Sequence, residues 1–482
     1  MQPPDLLDPR DGPRDECGVF GIYGPEHDVS RLAYFALYAL QHRGQESAGI
    51  AAADLDGHIM TLRNQGLVSQ VFTEHDLRTL AGDLAIGHVR YSTTGSSAWE
   101  NSQPVHRLGG DGGNRREIAL AHNGNLVNAV QLHSELREAG VGFRSTSDSE
   151  IIAALLATHE ADEVEEAIAD VMPRMHGAYS TVVMSNDRVV AFRDPAGLRP
   201  LVIGQLGERY CVASESCALD IIGAKLLRDV EPGEIVSLSE RGIQTRMGVE
   251  GARKAFCVFE YIYFARPDSR MGGQSLQAAR GRMGEILARE APAPGADLVI
   301  AVPDSGNAAA RGYARASGLP TDDGFVKNRY VARTFIQPGQ ELRKQGLRLK
   351  FNPLPEIVAG KSLVVVDDSI VRGNTTRQIV QMLRDAGARE VHLRISAPPI
   401  KHPCHYGIDM STREEMIAHG RTVDEVAAEL GCDTLAYVSM EGVYEAIGGD
   451  RAQHCDACFT GEYPLAIEGD GKYALELPVV HA

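Results

Sequence analysis

The stretch that most narrows what this chain can be is Val364-Val-Val-Asp-Asp-Ser-Ile-Val-Arg-Gly-Asn-Thr-Thr376. The apolar run from Leu363 to Val366 suits a strand buried on both faces of a parallel sheet. Such a strand delivers Asp367 and Asp368 to its C-terminal edge, where open α/β sheets bind ligands. Gly373, Asn374, Thr375 and Thr376 then open a helix. Its N-terminus offers free N–H groups and a positive dipole end to an anion. Adjacent carboxylates suit ribose hydroxyls or an oxygen-liganded divalent cation. One unit thus carries grips for a phosphate and for a sugar. The bland alternative is a strand, turn and helix capped by Asp and Thr, and the full combination weighs against it.

The surroundings predict the same kind of domain. Ser275–Ala291, Ala308–Ala316 and Thr376–Ala386 read as helices, alternating with the strands Leu298–Val302, Leu363–Val366 and Val391–Ser396. That alternation predicts a doubly wound α/β domain. Before residue 250 the pattern differs. Strands are expected at the start from Cys17, then at Ser47–Ala53, Ile59–Leu62, Leu84–Arg90, Ile118–His122, Gly177–Val183, Arg188–Phe192, Leu201–Ile203, Tyr210–Ala213 and Ile235–Ser237. Helical patterns fall at Ser30–His42, Leu126–Ala139, Asp148–Leu156 and Val164–Met172. This half reads as an α+β domain rich in antiparallel sheet. The polar, glycine-containing segment 249–254 marks the boundary between domains 17–250 and 251–470, leaving a tail at 471–482.

Charge excludes some functions. With 48 Lys and Arg against 65 Asp and Glu, the 482 residues carry a formal charge of −17. A protein that wraps nucleic acid needs a basic footprint, so none is expected as a partner. No apolar run approaches the roughly 20 residues of a membrane span, so no membrane partner is expected either. Met1 to Glu16 hold four prolines and five acids, unlike a secretory signal, which favours a cytoplasmic enzyme. The local exception is Lys327 to Lys350, with seven basic residues and one acid. Gly339 and Gly346 would let it move, as suits a lid over a polyanion; a solvated basic loop is the plainer reading.

The acid-pair stretch resembles the phosphoribosyl pyrophosphate (PRPP) motif of type I phosphoribosyltransferases. The resemblance implies that Asp367 and Asp368 meet the ribose hydroxyls and that the turn Ser369–Thr376, with Arg372, Gly373, Asn374 and Thr375, holds the 5′-phosphate. Magnesium would then sit near Asp367, Asp368 and Ser305. Ser305 lies in Ala301-Val-Pro-Asp-Ser-Gly-Asn307, a turn fit to offer backbone donors to a diphosphate. Lys327 and Arg333 in the basic run are further candidates for PRPP binding.

The first half carries a second set. Cys17 begins the first expected strand, and alone it reads as a buried core thiol. Gln41-His-Arg-Gly-Gln45, Gly87-His-Val-Arg-Tyr-Ser-Thr-Thr-Gly95, Ala121-His-Asn-Gly-Asn125 and Ser147-Asp-Ser-Glu150 follow in order. Together they resemble the class II glutamine amidotransferase domain, an N-terminal-nucleophile hydrolase fold with two antiparallel sheets between helices. The resemblance implies that Cys17 is the nucleophile, freed by removal of residues 1–16 as a leader. Its α-amine, with an intrinsic pKa of about 7.7–8.0, is then the base. Arg90 would bind the α-carboxylate of glutamine and Asp148 its α-ammonium. Asn123 and the Gly124 N–H would form the oxyanion hole.

Joined, residues 17 to about 470 resemble the glutamine PRPP amidotransferase family. Phe256-Cys-Val-Phe-Glu-Tyr-Ile-Tyr-Phe-Ala-Arg-Pro-Asp-Ser269 and Lys327-Asn-Arg-Tyr-Val-Ala-Arg-Thr-Phe-Ile-Gln-Pro-Gly339 are the most specific segments. The implied reaction is the committed step of de novo purine synthesis. Glutamine is cleaved at Cys17, and ammonia passes internally to C1 of PRPP. Tyr261, Tyr263 and Phe264 would either line that passage or form interface core. A homotetramer and feedback by purine nucleotides are also implied.

Eight cysteines are too few for a disulfide scaffold in a chain of this length. Cys455 and Cys458 form a CxxC pair, with Cys257 and Cys404 as distant partners. From spacing alone zinc fits better, and a redox pair is also open. The family resemblance instead implies a [4Fe–4S] cluster on these four residues, in the branch that also carries a cleaved leader. Cys211, Cys217 and Cys432 read as core. Two alternatives remain: another class II amidotransferase, or a PRPP-binding regulatory protein without turnover.

Overall fold

The computed structural model describes residues 17–56, 58–91, 98–109, 116–185, 187–328, 350–410, 412–467 and 475. The expected leader, Arg333, most of the basic run and nearly all of the tail lie outside these residues.

The first half stacks two antiparallel sheets. The strands are β1 (Gly18–Tyr23), β2 (Ser47–Ala53), β3 (Ile59–Gln65), β4 (Leu84–Arg90), β5 (Val105–Leu108), β6 (Glu117–Leu126), β7 (Gly177–Ser185), β8 (Arg188–Arg193), β9 (Val202–Leu206), β10 (Arg209–Ala213), β11 (Lys225–Asp229), β12 (Glu234–Ser239) and β13 (Gly242–Met247). One sheet has the order β11-β9-β10-β1-β4-β2-β3, the other β13-β12-β8-β7-β6-β5. Alternate residues along each strand point to opposite faces, so each sheet buries two sets of side chains. Val19, Ile86, Ala121, Val182 and Val212 fill the space between the sheets. Phe20, Ile22 and Val89 face outward under the helix Val29–Ala39. Leu120, Tyr179 and Phe192 face outward on the other side, under the helices Asp148–Ala157 and Val164–Val171. The result is helix, sheet, sheet, helix.

The second half centres on four parallel strands in the order Leu298–Ala301, Ser362–Asp367, Glu390–Ile395 and Thr434–Tyr437. Val364, Val365 and Val366 are fully buried, each worth about 1.5–3 kcal/mol of apolar burial. Thr321 bridges Val299 in parallel, on the side away from Ser362–Asp367. The chain therefore leaves Leu298–Ala301 in one direction and later fills the sheet in the other. Right-handed crossovers then place the helices Asn307–Ser317 and Asn374–Asp385 on opposite faces, as a doubly wound domain requires. The reversal creates a switch-point crevice between the C-terminal ends of Leu298–Ala301 and Ser362–Asp367.

A buried ionic junction ties the halves. The five-residue π-helical turn Glu260–Phe264 presents Glu260, which is fully buried. Arg43 grips it with two nitrogens, Nη1 at 3.1 Å and Nη2 at 2.7 Å. Arg43 also donates to Glu215 and to the Cys17 carbonyl. Arg199 Nη1 lies 3.8 Å from Glu260. Buried charges persist when paired and hydrogen-bonded in this way. Tyr261 and Phe264 pack in the second core, with Phe259 and Phe264 rings 5.1 Å apart. Among the described residues, no helix is long and apolar enough to cross a membrane.

Candidate active sites

Register builds the first site. β1 runs antiparallel to β4 with Gly18 opposite Val89, which carries Cys17 to the end of β4 beside Arg90. The Cys17 thiol is buried and donates to the Tyr91 carbonyl at 3.4 Å. Burial pushes it up to about 11, against the pull of Tyr91 and of Arg90, while Asp148 and Glu46 push it further up. A resting thiol of this kind needs a base before it can attack.

Asp148 opens the helix Asp148–Ala157, capped by Ser147. It accepts the Leu126 N–H at 3.0 Å and lies 3.8 Å from His122 Nδ1. His122 immediately precedes Asn123 and Gly124 on β6, where Asn123 opposes Ser180 and Gly124 opposes Tyr179 of β7. Both Asn123 Nδ2 and Oδ1 are buried without a hydrogen-bond partner. An orphaned buried amide costs about 1–3 kcal/mol and asks for an explanation. A substrate oxygen would supply the missing acceptor. Gly124 has φ of +152°, and a Cβ there would overlap the Ala178 carbonyl. Arg90 is buried, with Glu46 at 4.0 Å.

The second site fills the switch-point crevice. Asp367 and Asp368 are both buried. Burial raises both carboxyls above the usual range, and mutual repulsion raises Asp367 further. The hydroxyls of Ser305 and Ser369 hydrogen-bond Asp368. Ser305, from the neighbouring strand's loop, is thus brought to the acid pair. Lys327 pairs with Asp304 on the same rim. Gly373 caps the helix Asn374–Asp385 in the left-handed conformation, which leaves the first helical N–H groups of Asn374, Thr375 and Thr376 facing the turn. Arg372 turns aside to Glu415 at 3.2 Å, so the structure does not aim its guanidinium at the turn. Oxygen donors around a buried carboxylate pair fit a hard divalent cation.

The four cysteines lie in one neighbourhood. Phe256–Cys257 pairs with His454–Cys455 as two short parallel strands, Cys257 opposite Cys455. Cys458 lies in electrostatic reach of Cys257, Cys404 and Cys455. Burial raises Cys458 well above, and Cys455 up to about 12. Cys404 Sγ accepts from the Tyr406 N–H at 3.4 Å and from Arg199 at 3.8 Å. Four neighbouring thiols, with N–H donors at the Cys404 sulfur, fit an iron–sulfur cluster in donor chemistry. Among the described residues, no three His, Cys, Asp or Glu side chains form a group that could hold one metal ion. Cys211 and Cys217 lie in the first core and Cys432 packs against the second, as expected.

Sequence reading marked Gln41–Gln45 and Phe256–Ser269 as motifs but gave no role to Arg43, Glu215 or Glu260. Their pairing has no local signal, since the partners lie far apart in the chain.

Residues 88–220 match the family model described as a glutamine amidotransferase domain. The chain is 49% identical over 484 residues to the amidophosphoribosyltransferase of Mycobacterium tuberculosis, covering 98% of this chain and 91% of that one. It is 52% identical to that of Synechocystis, covering 95% and 92%. The solved glutamine PRPP amidotransferase of Bacillus subtilis, complexed with ADP and GMP, superposes with a TM-score of 0.88. It is 46% identical and covers 94% of this chain and 99% of that one.

The fold and sites define a two-domain enzyme, a class II glutamine amidotransferase of the N-terminal-nucleophile hydrolase type joined to a phosphoribosyltransferase domain. This chain belongs to the amidophosphoribosyltransferase family. It catalyses the committed step of purine biosynthesis, forming 5-phosphoribosylamine, glutamate and diphosphate from glutamine, PRPP and water.

Proposed function

We propose that Cys17 and the Asp367–Thr376 unit are the two reaction centres. Arg90 holds the α-carboxylate of glutamine and Asp148 its α-ammonium. The Cys17 sulfur attacks the side-chain amide carbonyl. Asn123 Nδ2 and the Gly124 N–H donate hydrogen bonds to the developing oxyanion. Collapse breaks the C–N bond, ammonia leaves, and water hydrolyses the glutamyl thioester to glutamate. Ammonia then passes inside the protein to C1 of PRPP and displaces diphosphate. An enclosed passage keeps ammonia unprotonated, and Tyr261, Tyr263 and Phe264, on the turn that carries Glu260, are its candidate lining. Asp367 and Asp368 hold the ribose hydroxyls and the turn Ser369–Thr376 holds the 5′-phosphate. Asp367, Asp368 and Ser305 would hold a magnesium ion, which when bound would supply positive charge to the diphosphate.

The observation that carries this reading is the orphaned Asn123 amide on the strand that meets Asp148. Cys17→Ala tests it. Glutamine-dependent synthesis should vanish while synthesis from ammonia persists; loss of both would overturn the two-site scheme.

Removal of residues 1–16 belongs to the same reading. It frees the Cys17 α-amine to take the thiol proton, which the burial of that thiol makes necessary. The intact mass of active protein checks this: a full-length mass would require another base. The four thiols Cys257, Cys404, Cys455 and Cys458 would hold a [4Fe–4S] cluster, which bound there supplies a structural tie. Protein purified without oxygen should contain about four irons per chain; a colourless, zinc-loaded, active protein would refute it. The same reading includes a cytoplasmic setting, a homotetramer and feedback by purine nucleotides. The nucleotide part is supported by the B. subtilis relative solved with ADP and GMP; inhibition assays check it, and sedimentation checks the tetramer.

A further inference from the structure

The segment His402–Gly407 belongs to the second half of the chain, yet it touches the first site. Gly407 has φ of +102°, and a Cβ there would lie 2.9 Å from the Gly124 carbonyl carbon and 3.0 Å from its Cα. Asn125 Nδ2 donates to the His405 carbonyl at 2.9 Å. Gly124 is therefore held between two backbones, Ala178 of β7 on one side and Gly407 on the other. The segment is itself anchored. Arg199 Nε donates to the Tyr406 carbonyl at 2.8 Å, and the Lys401 and His402 N–H groups donate to the Cys458 carbonyl at 3.0 Å each. The Tyr463 hydroxyl donates to the Pro403 carbonyl at 2.7 Å.

We propose that this segment completes the glutaminase site from outside its own domain, with Gly407 as a positioning residue that sets the Gly124 peptide in the oxyanion hole. The inference rests on the oxyanion role given above to Asn123 and Gly124. An oxyanion donor works only when aimed at the position the charged oxygen will occupy. A Gly124 peptide free to rotate would still admit glutamine but would stabilise its transition state less. The effect therefore falls on kcat for glutamine and spares KM.

The test uses full-length protein with Gly407→Ala and, separately, Asn125→Asp, which keeps the shape of the side chain but removes the donor to His405. Four quantities are read: kcat and KM for glutamine hydrolysis, the ammonia-dependent synthesis rate, and the rate at which iodoacetamide alkylates Cys17. Alkylation displaces iodide at a saturated carbon and develops no oxyanion, so it reports thiol access and basicity alone. Each variant should lose about tenfold or more in kcat, consistent with a misplaced donor. KM, alkylation and ammonia-dependent synthesis should stay within about twofold of the parent, since none of them draws on that donor. Unchanged kcat in both variants overturns the proposal, as does a parallel fall of all four quantities in both. If Gly407→Ala fails to fold, Asn125→Asp alone decides. Asn123→Ala measured alongside separates the two levels. If it leaves kcat intact, the oxyanion assignment fails; if it lowers kcat while the other two variants do not, only the role of the segment fails.

Discussion

The two reaction centres are built in opposite ways. The proposed PRPP grip lies mainly in one continuous stretch, the strand Ser362–Asp367 followed by a turn and the helix Asn374–Asp385. The proposed glutamine grip gathers Cys17, Arg90, Asn123 and Asp148 from four separate segments, aligned by the registers of β1 with β4 and β6 with β7. A local unit depends on strand, turn and helix geometry. A distributed one depends on every strand being in register, since a one-residue slip turns each side chain to the other face.

The strongest break of this comparison is Asp367→Asn combined with Asp368→Asn. PRPP-dependent turnover should fall by about a thousandfold or more, because the sugar and phosphate grips act on charge that the transition state develops. Basal glutamine hydrolysis should persist, and steady-state assays of both activities check it. The mirror experiment is Asn123→Ala. It should lower kcat for glutamine by about 10²–10³-fold and leave ammonia-dependent synthesis intact. Glu260→Gln should blur the contrast by damaging both centres. It takes from Arg43 one of its two buried carboxylate partners and from Arg199 its nearby carboxylate, for a loss of about 2 kcal/mol, readable as a lowered urea midpoint.

The smallest effect at neutral pH is that of His88, which shows only on acidification. His88 on β4 is buried, and burial holds its imidazole down at about 3, against the His122 carbonyl contact and with help from Arg90. The unfolded chain takes up that proton below about 6.5, and the folded chain does not. The contribution of His88 to stability is therefore full above pH 6.5 and falls by about 1.4 kcal/mol per pH unit between 6.5 and 3. His88→Gln should flatten that slope, as measured by denaturant midpoints across the range.

Legibility in the sequence followed the same division. The apolar run and glycine turn of residues 364–376 announced a strand and a helix, and both are present, the helix starting at Asn374 rather than Thr376. Strand Ile118–His122 was expected to stop before Asn123, but β6 continues to Leu126. Pairing with β7 and the permissive backbone of Gly124 override the low strand propensity of Asn-Gly-Asn. β11 and β13 went unread because much of each faces solvent and their composition is polar. The glutamine residues were placed through family resemblance, since no spacing rule links Cys17 to Asp148. Glu260 and Gly407 had no visible role for the same reason. Their partners, Arg43 and Gly124, lie more than two hundred residues away.

The Arg43–Glu260–Arg199 junction also limits what can be done with the gene. Domains of this size are often treated as interchangeable parts, cut at a linker and fused elsewhere. Excising the first half near residue 250 would strip two interior guanidinium groups of a shared carboxylate. A graft onto another acceptor domain would have to bring its own acidic residue to the same point. The glutaminase half is thus not a portable cassette, and chimeras that keep Glu260 with it should express where simple truncations aggregate.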